Sequence, residues 1–348
     1  MIVFLLLFIA LCLWRSRYAR VGFHEDFLSV EKTNAIKGIF IVTVFIRHIE
    51  GYYINAGADL SHWYDSAFFR PFVPLGQLIV VMFLFYSGYG VYESIKKYGQ
   101  RYVLGIPRKR VLNTLINFDV AVIVFAIVGL LIGNAIGIQK FLLSLIAWDS
   151  VGNSNWYIFC IIACYLFTYI SYKTKRGGYL LVLLVVYVIL MSFFKESWWH
   201  NTIFSYGAGV LLSKHKDFLM GKIRNNYFRC VIITGIGFVV ALYCYRIVCI
   251  YLESVEFMCS LAFNMLSVFC AFFVVLVTMK FSLYNFLLTW LGAHLFPLYI
   301  YQRLSMMVLA TLYPQELVAS HPYVYMILCI VITVIVAMGY RYINIKIK

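Results

Sequence analysis

Two residues of this chain have the chemistry to hold an anion and move a proton, at a spacing that would let them act together. Lys37 and His48 are eleven residues apart. At 100° per residue, eleven steps come to ~20° past three full turns, so on a helix both side chains face the same way. The rise between them is ~16 Å, about half the hydrocarbon thickness of a bilayer. An imidazole exchanges protons near neutral pH without large tuning. An ammonium offers its charge to a phosphate or to a developing oxyanion. The same pair also has a plainer reading, in which Lys37 caps a membrane interface and His48 hydrogen-bonds a neighbouring helix. Arg47 points away from that stripe and faces Glu50 one turn on, as a structural ion pair.

The elements that must carry this stripe are set by composition. The 348 residues are 64% hydrophobic and only 12% charged, against roughly 45–50% and 25% for soluble domains. A water-soluble fold of this size still exposes about a quarter of its unfolded surface, so the chain must use lipid as solvent. Cytosolic enzymes, nucleic-acid-binding domains and secreted disulfide scaffolds are thereby excluded. Crossing ~30 Å of hydrocarbon takes about 20 apolar residues. Such runs are read near 2–14, 36–54, 72–94, 111–137, 154–172, 178–194, 201–213, 230–251, 257–279, 287–312 and 323–340. The expected fold is an all-α polytopic integral membrane protein, with ten or eleven transmembrane helices in a single bundle. Residues 1–348 form one transmembrane domain, and 2–14 is an extra N-terminal apolar segment without the basic flank of a removable signal peptide.

The formal net charge is +15, and its distribution gives orientation rather than a nucleic-acid partner. Of 29 Lys and Arg residues, 23 fall in one alternate set of connections: 15–37, 96–110, 173–176, 214–229, Lys280 and 341–348. Positive residues are retained on the cytoplasmic side, which predicts a multi-pass protein of the cell membrane with a cytoplasmic C-terminus. No connection exceeds about 20 residues, leaving no room for a folded soluble domain. The nine cysteines show no CxxC or Cys/His spacing for zinc, so no metal is expected.

Ionisable residues at membrane depth are functional candidates. Asp119 lies nine residues inside Arg110, so ~13 Å deep. It could orient the imidazolium of His48, pair with Lys37, or only hydrogen-bond between helices. Ser87-Gly88 offers a hydroxyl and a close helix approach, a pairing usual in membrane packing. Arg303 stands mid-span beside Gln302 and Tyr299, where it could hold an anionic part of a substrate. Arg246 is also within a span. His62, His200 and His321 fall in outer connections and read as solvated, while His294 lies near the cytoplasmic end of its span.

A basic residue, ten intervening positions and a histidine in the first long span resemble the signature of the acyltransferase 3 family. The family's usual arginine is here Lys37. Val81-Met82-Phe83-Leu84-Phe85-Tyr86-Ser87-Gly88-Tyr89 is similar to its aromatic-rich FFxxSG stretch. Arg110 matches the first residue of its RxxR motif, and Asn113 stands where the second arginine would be. Asn155-Trp156-Tyr157 opens a span as a Trp-aromatic pair does in many members. Trp290-Leu291-Gly292 through Pro297-Leu298-Tyr299-Ile300-Tyr301-Gln302 looks like its LGxxSxxIYLxH segment, with Gln302 where His is common and Pro297 a departure. The resemblance covers about residues 30–340.

That resemblance implies an integral-membrane acyltransferase moving an acetyl or other acyl group from cytoplasmic acetyl-CoA to a hydroxyl of an exported or lipid-linked glycan. His48 would be the general base or a transient acyl carrier, with Lys37 and Asp119 completing the catalytic set. Arg110, Ser87, Tyr86, Trp156, Tyr299, Gln302 and Arg303 would bind substrates. The expected partners are the acyl-CoA donor, the glycan acceptor and the lipid bilayer, with no nucleic acid and no permanently bound cofactor. A transporter or flippase for a lipid-linked oligosaccharide is the competing class, since it too has many spans and intramembrane charges.

Overall fold

The computed structural model describes residues 1–60, 62–174, 177–251 and 255–343. Of the charges used to assign orientation, Lys175, Arg176, Lys346 and Lys348 lie outside the described residues. Sixteen α-helices follow one another: α1 Ile2–Leu13, α2 Val30–Asn55, α3 Trp63–Phe69, α4 Val81–Tyr98, α5 Gln100–Ile106, α6 Asn113–Leu131, α7 Ile138–Leu145 and α8 Trp156–Lys173. The second half continues with α9 Tyr179–Met191, α10 Phe204–Lys214, α11 Lys216–Asn225, α12 Tyr227–Tyr251, α13 Glu256–Lys280, α14 Phe286–Ala293, α15 Leu295–Leu312 and α16 Pro322–Ile343. The only strands among the described residues, β1 (Arg17–Tyr18) and β2 (Phe281–Ser282), pair antiparallel. The chain is an all-α polytopic membrane protein.

Among the described residues, seven helices are long and apolar enough to cross a membrane. The 26-residue α2, about 39 Å long, is not one of them by composition, because Glu31, Lys32, Lys37, Arg47 and Glu50 sit on it. It starts six residues before the span read at 36–54: Ser29 caps it by accepting from the Lys32 N–H at 3.3 Å, and Glu31 complements the dipole of the first turn. The short α1 packs on neighbouring elements through Phe4–Phe68 and Phe8–Phe72 ring contacts.

The expected single span at 287–312 is two helices. Pro297 sits in the first turn of α15 and has no N–H to donate to the Ala293 carbonyl, so the chain breaks at His294, between α14 and α15. The span expected at 111–137 ends at Leu131, just before Gly133 takes a positive φ of 84°. Its other end is a wide π turn over Pro107–Leu112 that carries Lys109 and Arg110.

Two pairs of glycines bring the central helices into backbone contact. A Cβ on Gly38 of α2 would overlap the Leu288 carbonyl of α14, and one on Gly292 of α14 would overlap the Asn34 carbonyl of α2. Gly88 of α4 and Gly209 of α10 meet in the same way, against the carbonyls of Tyr206 and Phe85. Small residues are what allow such crossings in lipid. One of them holds Lys37 beside α14, and the other holds Ser87 at the bundle centre.

Candidate active site

A cavity of about 380 Å³ lies at the centre of the bundle. Lys37 reaches it from α2, Tyr86 and Ser87 from α4, Arg110 from the π turn, Thr114 from α6, Tyr157 and Tyr165 from α8, and Tyr299 from α15. The lining holds two cations, Lys37 and Arg110, and no carboxylate. Lys37 makes no hydrogen bond or ion pair among the described residues. The Arg110 Nε donates to the Tyr102 hydroxyl at 3.1 Å. The Ser87 and Tyr165 hydroxyls are 3.1 Å apart. The Tyr86 hydroxyl is buried in the wall without a partner. Five residues singled out in the sequence therefore come together from four elements.

His48 does not line this cavity. It sits further along α2, half-buried, with Nδ1 sealed from solvent and unpartnered, and the guanidinium groups of Arg303 and Arg47 lie within electrostatic reach of its ring. Arg303 Nη1 donates to the Asn153 carbonyl at 3.4 Å. The Asn153 Nδ2, Ser154 Oγ and Tyr299 hydroxyl are, like His48 Nδ1, buried and without hydrogen-bond partners. Buried polar atoms are normally satisfied, so a concentration of unmet donors and acceptors at one end of a cavity is what a substrate or ordered water would complete. Tyr299 belongs to both groups and joins the Lys37 cavity to the His48 end. Arg47 pairs with Glu50, as its spacing implied.

Asp119 is placed elsewhere. Among the described residues no ion pair joins it to Lys37 or His48, and it lines none of the cavities described; α6 packs chiefly on α7, α8 and α15. Its Oδ1 is buried and unpartnered. Gln302 also misses the cavity. It is buried, donates to the Tyr299 carbonyl at 3.2 Å, and lines a separate apolar groove with Ile41, Phe45 and Thr333. Three residues on from Tyr299, it faces α2 and α16 instead. Trp156 is outside the lining, but its ring meets Tyr157 edge-on at 6.1 Å. Arg246 is exposed on the outlying α12.

His62 and His321 are exposed, but His200 is buried, at 1% exposure. Its Nδ1 lies 2.6 Å from Ser260 Oγ, and Asn264 Nδ2 donates to its carbonyl at 2.8 Å. These contacts pin the connection before α10 to α13, which a single-chain hydropathy reading could not reveal. Sequence reasoning also passed over Tyr165, Asn153 and Ser154. The row Tyr157, Ile161, Tyr165 along one face of α8 is a signal that could have found the first. The other two are positioned by a loop whose own bonds (Ser150 Oγ to the Asn153 carbonyl, 2.7 Å) leave no periodic trace.

A second cavity of about 360 Å³ adjoins the first at Arg110. It is lined by Tyr98, Arg101, Tyr102 and Lys109 as well, so three cations and two aromatic rings surround it. Lys96 is committed elsewhere, bonded to Glu93 at 2.5 Å and to the Ser213 carbonyl at 3.0 Å. Among the described residues, no three His, Cys, Asp or Glu side chains gather as a metal site would need.

No curated protein and no solved structure matches this chain. Residues 31–342, nearly its whole length, match a family described as an acyltransferase domain. With the Lys37 cavity and the His48 cluster set in an all-helical membrane bundle, that match makes this chain a membrane acyltransferase of the acyltransferase 3 family.

Proposed function

We propose that the protein transfers an acetyl or similar short acyl group from acyl-CoA to a sugar hydroxyl of an exported or lipid-linked glycan. The observation that carries this reading is the central cavity, with Lys37, Arg110 and the unpartnered Tyr299 hydroxyl in its wall and the unpartnered His48 Nδ1 beyond it. The Arg101, Lys109 and Arg110 cavity suits the phosphates of coenzyme A, since each cation offers charge-assisted hydrogen bonds. Tyr98 and Tyr102 offer faces on which the adenine could stack. The thioester arm then extends past Arg110 toward Lys37 and Tyr299.

The acceptor oxygen attacks the thioester carbonyl while His48 Nδ1 takes its proton. The Tyr299 hydroxyl, on the wall nearest His48, stabilises the negative charge on the former carbonyl oxygen, while Lys37, ~16 Å back along α2, holds the donor by its charge. The tetrahedral centre collapses to the ester, the carbon–sulfur bond breaks, and the departing thiolate takes up the proton held by His48. General-base catalysis of this kind contributes about 10²–10⁴-fold, and an oxyanion donor about 10²–10³-fold. The positive-residue distribution supports donor binding from the cytoplasm and a place in the cell membrane.

Mass spectrometry of surface glycans from cells with and without the gene, beside an assay of free thiol released from acetyl-CoA by their membranes, tests this reading. Loss of one acetyl unit per acceptor together with loss of thiol release is expected. Unchanged glycans would remove the glycan acceptor, and unchanged thiol release would remove the donor.

A further inference from the structure

At the His48 end of the central cavity, the loop that precedes α8 leans on α15 and presents polar groups to the same place. The loop is shaped by its own hydrogen bonds. Ser150 Oγ donates to the Asn153 carbonyl at 2.7 Å, the Gly152 N–H donates to Ser150 Oγ at 3.1 Å, and Asn155 Nδ2 donates to the Ala147 carbonyl at 3.0 Å. Gly152, at a φ of 103°, lies against Met307 of α15, where a Cβ would come within 2.9 Å of the sulfur. One turn earlier on α15, Arg303 Nη1 donates to the Asn153 carbonyl at 3.4 Å. Loop and helix are thus joined at two points.

Asn153 is fully buried. The Val151 N–H donates to its Oδ1 at 3.3 Å. Only the oxygen of a carboxamide can accept, so the orientation of the group is set. Its Nδ2 is then the outward end, buried and without a partner. Arg303 is half-buried, and among the described residues its one hydrogen bond is the long contact to the Asn153 carbonyl. The guanidinium lies within electrostatic reach of the His48 ring and of the Tyr299 hydroxyl. Two elements therefore bring N–H donors and a positive charge up to the proposed base.

These groups define a ligand class. Guanidinium and amide N–H groups only donate, so the ligand must bring oxygens that accept. A charge at membrane depth calls for a counter-charge. Arg47 already has Glu50, which leaves the single charge of Arg303. A carboxylate matches that charge one for one and fits the planar guanidinium fork. A phosphate monoester, at about −1.5 to −2 near neutral pH, would bring excess negative charge into the membrane. A sugar with a carboxylate on the same ring as its hydroxyls, seated on Arg303, would turn a hydroxyl toward His48. Its negative charge would also favour the imidazole's taking up the hydroxyl proton.

We propose that Arg303 and Asn153 Nδ2 bind the carboxylate of an acidic, uronate-type sugar in the acceptor, at the end of the cavity opposite the cations that hold the donor. This rests on the acyl-transfer reading above and adds the acceptor's charge and the residues that select it.

The test uses the full chain in phosphatidylcholine nanodiscs and three probes that differ only at carbon 6 of the sugar: octyl β-D-glucuronide, octyl β-D-glucoside and octyl β-D-glucoside 6-phosphate. Binding is read from the rise in melting temperature with probe concentration. The glucuronide should bind at least about tenfold more tightly than either of the others, a difference of ~1.4 kcal/mol or more. Arg303→Gln should erase the preference and Arg303→Lys should keep it. Asn153→Asp retains the Oδ1 that holds the loop but turns a second oxygen on the carboxylate, so it too should erase the preference. Arg303→Glu should favour octyl 6-amino-6-deoxy-β-D-glucoside over the glucuronide, a gain that misfolding cannot produce. Equal binding of glucuronide and glucoside, tighter binding of the 6-phosphate, or a preference that survives Arg303→Gln overturns the proposal. Thiol release from acetyl-CoA, with the acetylated probe identified by mass, separates the two readings. Glucoside acetylated as fast as glucuronide overturns the acidic acceptor and leaves acyl transfer standing. Selective glucuronide binding without thiol release or acetylated product retires acyl transfer and leaves the carboxylate site.

Discussion

Gly38 and Gly292 let α2 and α14 touch backbone to backbone, each occupying the one position where the facing carbonyl leaves no space for a Cβ. Lys37 precedes one of them, and Gly292 itself lines the Lys37 cavity. The crossing therefore fixes the height and direction of the Lys37 ammonium. Gly292→Ala should force the helices apart, and overpacking of this kind costs about 1–3 kcal/mol, or more when backbone must move. A lower melting temperature in detergent and loss of thiol release are expected. Gly235→Ala, at a position surrounded by open space, should leave both unchanged. Equal tolerance of the two substitutions would show that the crossing does not constrain the site.

Lys37 has no ion-pair or hydrogen-bond partner among the described residues, and no carboxylate is among the described residues lining its cavity, so its charge is available to a ligand. Lys37→Met keeps most of the stem and removes the ammonium. It should lower kcat/KM for acyl transfer by about 10–100-fold, mainly through KM for acetyl-CoA, the effect of losing one hydrogen bond to a charged group. Lys37→Arg keeps the charge and should retain activity within about tenfold of wild type, although the fork geometry differs. Initial rates over a range of acetyl-CoA concentrations check both. A Lys37→Met enzyme of full activity would relegate the residue to interfacial anchoring.

His48 and Asp119 stand at similar depths in the sequence but in different surroundings in the fold. His48→Ala should abolish acyl transfer, a loss of at least about 10²-fold, without affecting membrane insertion. Asp119→Asn should change the rate by no more than a few-fold, since Asp119 lies outside the lining of the Lys37 cavity. Thiol release by matched amounts of each variant in membranes separates these outcomes. A large loss in Asp119→Asn would mean that its carboxylate reaches the site in a conformation other than this one.

Much of this architecture was legible because lipid simplifies the signal. Apolar length marked the helices, and eleven residues at 100° each placed Lys37 and His48 on one stripe of a single unbroken helix. The shared cavity was legible only in part. Ser87, Tyr86, Arg110 and Tyr299 have marked sequence surroundings, whereas the depth at which the cavity ends depends on how Tyr157 and Tyr299 pack, with centroids 5.2 Å apart. His48 lies beyond that end, and helical phase carries no information about it. Asp119 shows the same limit, because depth along a helix can be counted but the neighbour it faces cannot. Pro297 did carry its message: a proline three residues after His294 predicts a helix start. That reading was obscured by the continuous apolarity of 287–312.

The buried His200 gives a pH dependence independent of catalysis. Burial lowers its pKa below the ordinary value, an effect opposed by the nearby Lys195 carbonyl. The folded protein therefore holds the ring neutral where the unfolded chain, with an ordinary pKa of about 6.5, would protonate it. Its stability contribution is intact above that pH and is lost as the pH falls through it toward the lower folded value, because the unfolded state then binds the extra proton. Melting temperatures in detergent should fall as the pH is lowered from 7.5 to 5, reflecting loss of the tie between His200 and Ser260. Other groups titrate in the same range, so the decisive quantity is the difference between wild type and His200→Gln. The variant should be less stable at pH 7.5, by about 1–3 kcal/mol for a broken buried hydrogen bond, and its deficit should shrink at pH 5. Parallel melting curves at every pH would show that His200 does not change protonation on unfolding and would remove the link between this buried ring and acid sensitivity.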